Sequence, residues 1–260
     1  MIGAVGADEF GQPLITSMKS DGIDISGIAV IPDQTTGVAV ILVEESSGEN
    51  RILLNPGANH SLLPEQFLTP SSFGTPASDL IVVQLEIPLE TVLQVLETAK
   101  RAGVDVLLNP APAVQLPDEA YSAVTHLIVN ESEAAILTGR SVEDVEEKGF
   151  QWDVVTEEFL KKGVKNVVVT LGAKGAFYSN VSDGGKGRYV TAEKVERVVD
   201  TTAAGDTFVG AYAVNIVKDG RSLATEDDVR LACKAAGRTV EKKGAQSAIP
   251  WADEVEEVNI

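Results

Sequence analysis

From Asp79 onward, short apolar runs of strand type alternate with helical patterns, and this constrains the fold more than any other feature of the sequence. Leu80 to Leu85 reads as a buried strand with Glu86 at its carboxyl end. Pro88 opens a helix running to about Ala102, because proline is tolerated in a first turn. Val104 to Leu108 is the next strand and ends in NPAPA. His126 to Val129 ends at Asn130, and ESEAAILTG follows as a helix closed by Gly139. Asn166 to Leu171 leads into LGAKGA, and two or three shorter strands cover Ala176 to Val199. Helices follow over about Ala204 to Lys218 and Glu226 to Lys243, with a short acidic one near Trp251. Such alternation predicts a parallel sheet with helices on both faces. Its carboxyl edge, lined by Glu86, Asn109, Asn130 and Gly172, is where open α/β sheets bind ligands.

The first third reads differently. Ile2 to Val5 resembles the end of a buried strand. Phe10, Leu14, Ile15 and Met18 recur at helical spacing up to Gly22. Thr36 to Val43 and Arg51 to Asn55 form a hairpin joined by the polar turn SSGEN, projecting from the main sheet. Ser141 to Asp153 is polar and reads as a surface loop.

Bulk properties narrow the function. A hydrophobic fraction of 44% in 260 residues supports a real core. The formal net charge of −18 repels nucleic acid and anionic membranes, so neither is an expected partner. It also repels nucleotides at long range, so any phosphate must be held locally by helix N-termini, a few lysines and cations. The single cysteine, Cys233, excludes an internal disulfide. No apolar run is long enough for a membrane span, and the opening residues do not read as a signal peptide. The expected location is cytoplasmic, the nucleus being open as well in a eukaryote.

The chemistry concentrates in VVDTTAAGDTFVGAYAV, Val198 to Val214. Small residues Ala203, Ala204 and Gly205 lead directly into a helix, where free N–H groups can approach an anion closely. Asp206 stands in the first turn. An ionised carboxylate there can take a proton from an attacking hydroxyl. On the residues alone, Asp206 as a simple acidic first-turn residue and Gly205 as a packing residue stand equally well.

The longer string decides more. DTTAAGDTFVGA resembles the signature of the ribokinase (PfkB) family of carbohydrate kinases. GADEFG, TTGVA (Thr35 to Ala39), NPGAN (Asn55 to Asn59), QLEIPLETV, NPAPA, VNESEAAILTG, VTLGAKGA and KGAQSAIPW follow in the family's order. The resemblance implies a three-layer α/β/α, Rossmann-like sheet. It further implies one kinase domain over residues 1–260, with a small β lid inserted at about 28–55. The implied reaction is transfer of the γ-phosphate of ATP to O5 of D-ribose. It makes Asp206 the base and Ala203, Ala204, Gly205 and Asp206 the anion hole, with Asp206 also touching the sugar.

Other roles carry over position by position. Glu86 matches a ribose-contacting carboxylate, although by itself it reads as a cap ahead of Pro88. Asn130 would touch the nucleotide phosphates and Glu133 would order Mg²⁺ through water, while Asn130 also suits a helix cap. Thr170, Leu171, Gly172, Ala173, Lys174 and Gly175 match the nucleotide loop, which is not a Walker A motif. Asp200, Thr202, Thr239, Lys242 and Gly244 match a K⁺ site made mainly of backbone oxygens. Lys242 also suits a plain helix C-terminus. Ala248 stands where the family often has serine as a further cation ligand. Cys233 stands where asparagine or histidine often meets adenine, and by itself it reads as a buried helix cysteine.

The family's opening strand and its glycine-rich sugar segment have no counterpart here. The resemblance therefore implies that the chain starts inside the family's pattern, lacking N-terminal strands and part of the sugar site. Two other readings follow: a related sugar or nucleoside kinase, or a nucleotide-binding fragment without useful activity. In the family, lid strands pair between subunits, so a homodimer is a further expectation.

Overall fold

The computed structural model describes residues 1–43 and 50–256. The chain divides into two units, Met1–Ala77 with Leu85–Thr98, and Ser78–Gln84 with Ala99 onward.

In the first unit β1 (Ile2–Gly6), α1 (Gly11–Ser20) and β2 (Gly27–Ile31) form a strand–helix–strand unit with β1 and β2 parallel. An acidic clamp organises its loops. Asp8 accepts from the Thr36 amide at 2.6 Å, the Thr36 hydroxyl at 2.6 Å and the Gly11 amide at 2.9 Å. The Thr36 hydroxyl also accepts from the Gly6 amide at 3.0 Å. These donors hold the Asp8 carboxyl down at about 2, the Thr36 hydroxyl contributing most. β3 (Val38–Val43) and β4 (Asn50–Asn55) make a separate antiparallel hairpin, with Val38 opposite Asn55. Its expected SSGEN turn lies, apart from Asn50, outside the described residues. Ile28 to Ile31 pairs with β1 and not with this hairpin.

The second unit holds the larger sheet, beginning with β5 (Leu80–Val83). The next element in the chain, α2 (Leu89–Ala102), falls mostly in the first unit, and the Pro88 carbonyl caps it by accepting from the amides of Thr91 and Val92. β6 (Asp105–Leu108), α3 (Asp118–Tyr121), β7 (His126–Asn130), α4 (Glu131–Thr138), α5 (Val142–Glu146), α6 (Asp153–Lys161) and β8 (Asn166–Thr170) follow. Then come β9 (Ala176–Asn180), β10 (Arg188–Val190), α7 (Ala204–Lys218), α8 (Glu226–Thr239) and α9 (Ala252–Glu256). The sheet order is β10-β9-β8-β7-β6-β5, parallel from β5 to β8 and antiparallel across β8–β9 and β9–β10. This is the expected α/β architecture.

Central strands are buried on both faces, which is why Leu107, Leu108, Leu127, Ile128, Val129 and Val167 to Val169 read as unbroken apolar runs. Phe208, Val209, Tyr212, Ala213 and Ile216 of α7, with Val229, Ala232 and Cys233 of α8, pack with Leu107, Ile128 and Val168. Tyr121 and Phe159 pack together elsewhere in the unit, with ring centroids 5.3 Å apart. Two expectations shift. Residues 142–146 form a helix, because Ser141 and Asp144 make a reciprocal capping box. Residues 191–203 hold no strand.

The direction of α7 follows from polar contacts at the amino ends of the strands. Beyond its C-terminus, Ser222 donates to Asp105, the first residue of β6, at 2.7 Å. Asn166, the first residue of β8, donates to the Ser222 carbonyl at 2.8 Å and accepts from the Ala224 amide at 2.8 Å. Fifteen helical residues span about 22 Å, so α7 runs back across the sheet and opens at the carboxyl edge.

His126 is fully buried at the start of β7, and its Nδ1 shares a hydrogen bond of 2.8 Å with the Tyr212 hydroxyl. Burial pushes its imidazole down to about 4, with Asp105 opposing. Between pH 6.5 and 4 the unfolded chain therefore takes up a proton that the folded chain refuses. Stability is full above that window and falls as pH drops through it, by roughly 3 kcal/mol. Urea titrations across this range should show the fall. Imidazole NMR should show His126, one of two histidines, staying neutral down to about pH 4.

Candidate active site

The mouth of α7 is open. Ala203 caps it in the left-handed conformation, with φ at 61° and no side-chain cap. That backbone bend is uncommon for a residue with a Cβ and signals a constraint on the turn. Thr207 donates its amide and hydroxyl to the Ala203 carbonyl at 2.9 and 2.8 Å. The amides of Gly205 and Asp206 precede any intrahelical acceptor and have none among the described residues. Both residues are exposed, and a Cβ built on Gly205 would meet nothing within 4 Å. The protein's own packing does not require glycine there. The space stands free for an anion, with a carboxylate beside it.

The same edge carries the ends of β7 and β8, where Asn130 and Thr170 stand opposite each other in register. Asn130 caps α4: its Oδ1 accepts from the Glu133 amide at 2.8 Å, and Glu133 accepts from the Asn130 amide at 2.8 Å. Desolvation raises the Glu133 carboxyl above its usual range, against the pull of that amide. After Thr170 the chain makes a tight loop, in which Leu171 donates to the Gly175 carbonyl at 2.8 Å and Gly175 to Gly172 at 3.0 Å. Lys174 pairs with Glu131 at 2.9 Å. Glu131 is an addition to the residues read from the sequence. The residues themselves offer no signal for it, because Glu131 and Lys174 lie 43 positions apart.

Behind the α7 mouth, two segments are tied together. The amides of Val199 and Asp200 donate to the Val240 carbonyl, at 2.7 and 3.3 Å. Asp200 accepts from the Thr202 hydroxyl at 2.7 Å, the Thr202 amide at 3.0 Å and the Gly244 amide at 3.1 Å. These donors hold its carboxyl down at about 2, the Thr202 hydroxyl contributing most. Thr239 is buried and donates to the Thr207 hydroxyl at 2.8 Å, joining the end of α8 to the first turn of α7. Lys242 turns its ammonium to Glu254 at 2.6 Å. Ala248 is fully buried.

Cys233 belongs to the α7–α8 core, and burial pushes its thiol up to about 11. Glu86 lies in the first unit, exposed and without a partner among the described residues.

A fold of this class, with its helix mouth and strand ends on one edge, has close relatives. The model of the pfkB family of carbohydrate kinases matches residues 1–252. The chain belongs to this family. Among its members, a ribokinase of Schizosaccharomyces pombe is 41% identical over 257 residues, covering 98% of this chain and 78% of the other. The solved Thermotoga maritima ribokinase is 36% identical with a TM-score of 0.79, covering 98% of this chain and 79% of that one. An Arabidopsis thaliana ribokinase, solved with ribose and ATP, is 29% identical with a TM-score of 0.82, over 98% and 79%.

Gly175 tests the loop geometry. Its φ is 99°, and a Cβ would lie 2.0 Å from the Val190 carbonyl oxygen. Gly175→Ala should cost more than about 2 kcal/mol in urea unfolding, since rigid backbone must move. Gly172→Ala, with positive φ but open space, should cost about 1 kcal/mol.

Proposed function

We propose that the chain is an ATP-dependent kinase that phosphorylates D-ribose at O5. The observation that carries this reading is the open α7 mouth: free amides of Gly205 and Asp206 beside an exposed carboxylate, on the sheet edge that also bears Asn130 and Thr170. Its family membership and its identity to ribokinases support it. Asp206 takes the proton of the ribose 5-hydroxyl as that oxygen attacks the γ-phosphate in line, and the bond from the γ-phosphorus to the β,γ-bridging oxygen breaks to release ADP. The free amides of Gly205 and Asp206 stabilise charge developing on the phosphoryl oxygens, while the Ala204 amide donates to the Thr201 carbonyl at 3.3 Å and shapes the turn. Asn130 and the loop Thr170–Gly175 bind the phosphates and ribose of the nucleotide. Glu86 binds sugar hydroxyls. Cys233, as a core residue, borders the adenine end without a polar contact.

Two cations belong to the reading. Mg²⁺ supplies neutralisation of phosphate charge. Glu133 fits a water-mediated role, since its Oε2 is taken by the Asn130 amide and its Oε1 keeps an acceptor face. K⁺ fits behind the mouth. Asp200 is strongly ionised there, and the carbonyls of Thr202, Thr239, Lys242 and Gly244 lie in the two tied segments. With Ala248 offering no side-chain oxygen, that site rests on carbonyls and one carboxylate.

We read residues 1–260 as one kinase domain and the β3–β4 hairpin as its lid. Exposed Val38, Val40, Leu53 and Leu54 on that hairpin suit cover by a second copy, giving a homodimer. No helix among the described residues is long and apolar enough to cross a membrane, and a cytoplasmic setting fits.

Coupled ADP-release assays test the reaction. D-ribose should stimulate turnover, and equal rates with fructose or adenosine would overturn the assignment of the acceptor. Asp206→Asn should lower kcat by about a thousandfold or more while melting stays near wild type. Replacing K⁺ by Na⁺ or Li⁺ should lower turnover severalfold. Asp200→Ala should abolish that cation response.

A further inference from the structure

The buried pair His126–Tyr212 lies in the α7 core and takes no part in the chemistry above. Both side chains are fully buried. Their rings meet edge to face, with centroids 5.5 Å apart and planes at 75°, and Nδ1 lies 2.8 Å from the hydroxyl. His126 Nε2 has no hydrogen-bond partner. A buried imidazole with one nitrogen unsatisfied is a net cost to folding, so stability is a poor reason for its presence.

Its placement suggests another role. His126 is the first residue of β7, and Asn130 is the last. Tyr212 lies in the middle of α7, six residues after Asp206. The rest of the α7 face is Phe208, Val209, Ala213 and Ile216, packed against Leu107, Ile128 and Val168. Other polar contacts tie α7 to its neighbours, Ser222 beyond its C-terminus to Asp105 and Asn166, Thr207 to Thr239 and Asn215 to Asp228 of α8, but none of these reaches β7, and apolar packing against that strand resists sliding along the axis only weakly. A directional hydrogen bond fixes register, as buried polar groups do in other packed helices. From this bond the strand and the helix both run toward the carboxyl edge, one to Asn130 and the other to the Asp206 turn.

We propose that Tyr212 and His126 are positioning residues that set the axial register of α7 on β7, and so the placement of the α7 mouth relative to Asn130. This rests on the reading of Asp206 and Asn130 as parts of one phosphoryl-transfer site. Misplacement by a fraction of an ångström to one ångström costs an enzyme about tenfold to a hundredfold in rate, with little effect on ground-state binding.

The test uses the full chain with two variants, Tyr212→Phe and the double variant His126→Leu/Tyr212→Phe. Tyr212→Phe should lower kcat about tenfold and leave KM for ATP and ribose within about twofold. It should also lower the melting temperature, because both imidazole nitrogens are then unpaired. The double variant removes both polar partners and should regain most of the lost melting temperature, yet kcat should stay low. A crystal structure of Tyr212→Phe should show residues 203–206 displaced along the helix axis relative to Asn130. Unchanged kcat in Tyr212→Phe, recovery of kcat together with melting in the double variant, or superposition of 203–206 on wild type would each overturn the proposal. If wild type shows no ribose-dependent turnover, the kinase reading fails instead, and the crystallographic comparison still decides the positioning role.

Discussion

The site depends on the direction of one helix. α7 is anchored at the amino ends of the strands by Asn166 and Asp105, which grip Ser222 and Ala224. That grip forces the helix to return across the sheet and to expose its unsatisfied amides on the carboxyl edge. Were the helix reversed, carbonyl oxygens would face the same edge and would repel an anion. One buried amide and one half-buried carboxylate, far from the chemistry, thus decide the sign of the field at the mouth.

A second constraint is cross-bracing behind that mouth. Thr239 reaches Thr207, Asp200 reaches Gly244, and Val199 and Asp200 share the Val240 carbonyl. The loop before α7 and the turn after α8 are therefore one mechanical piece. A cation held there would act on the Ala203–Asp206 turn through Asp200 and Thr202. The unusual φ of Ala203 is held in place by this bracing, with Thr207 closing the turn from inside.

Much of this was legible in the residues because local and global signals agreed. Asn130, Glu133 and Gly139 frame α4 with a capping box and a left-handed stop, and the structure places both ends there. The start of α7 was marked by a run of small residues meeting a helical period. Where local signals were absent or overruled, the reading slipped. The α5 helix is polar and short, and its S-x-x-D cap is easily taken for a turn. Residues 191–203 are rich in valine, yet they stay out of the sheet, since β10 pairs only with β9. Pairing of Ile28 to Ile31 with β1 is non-local and leaves no mark in the strand itself. The Lys174–Glu131 pair and the His126–Tyr212 bond join residues 43 and 86 positions apart, a distance at which sequence pattern carries no information.

The bare cap at Ala203 has one more consequence. Many helices carry their own cap, a serine or aspartate that quiets the first turn; this one has none. An anion bound there, as proposed, would complete the protein's hydrogen bonding and add to its stability with the logarithm of its concentration. Resistance to heat or proteases then becomes a gauge of how well supplied the surroundings are with that solute.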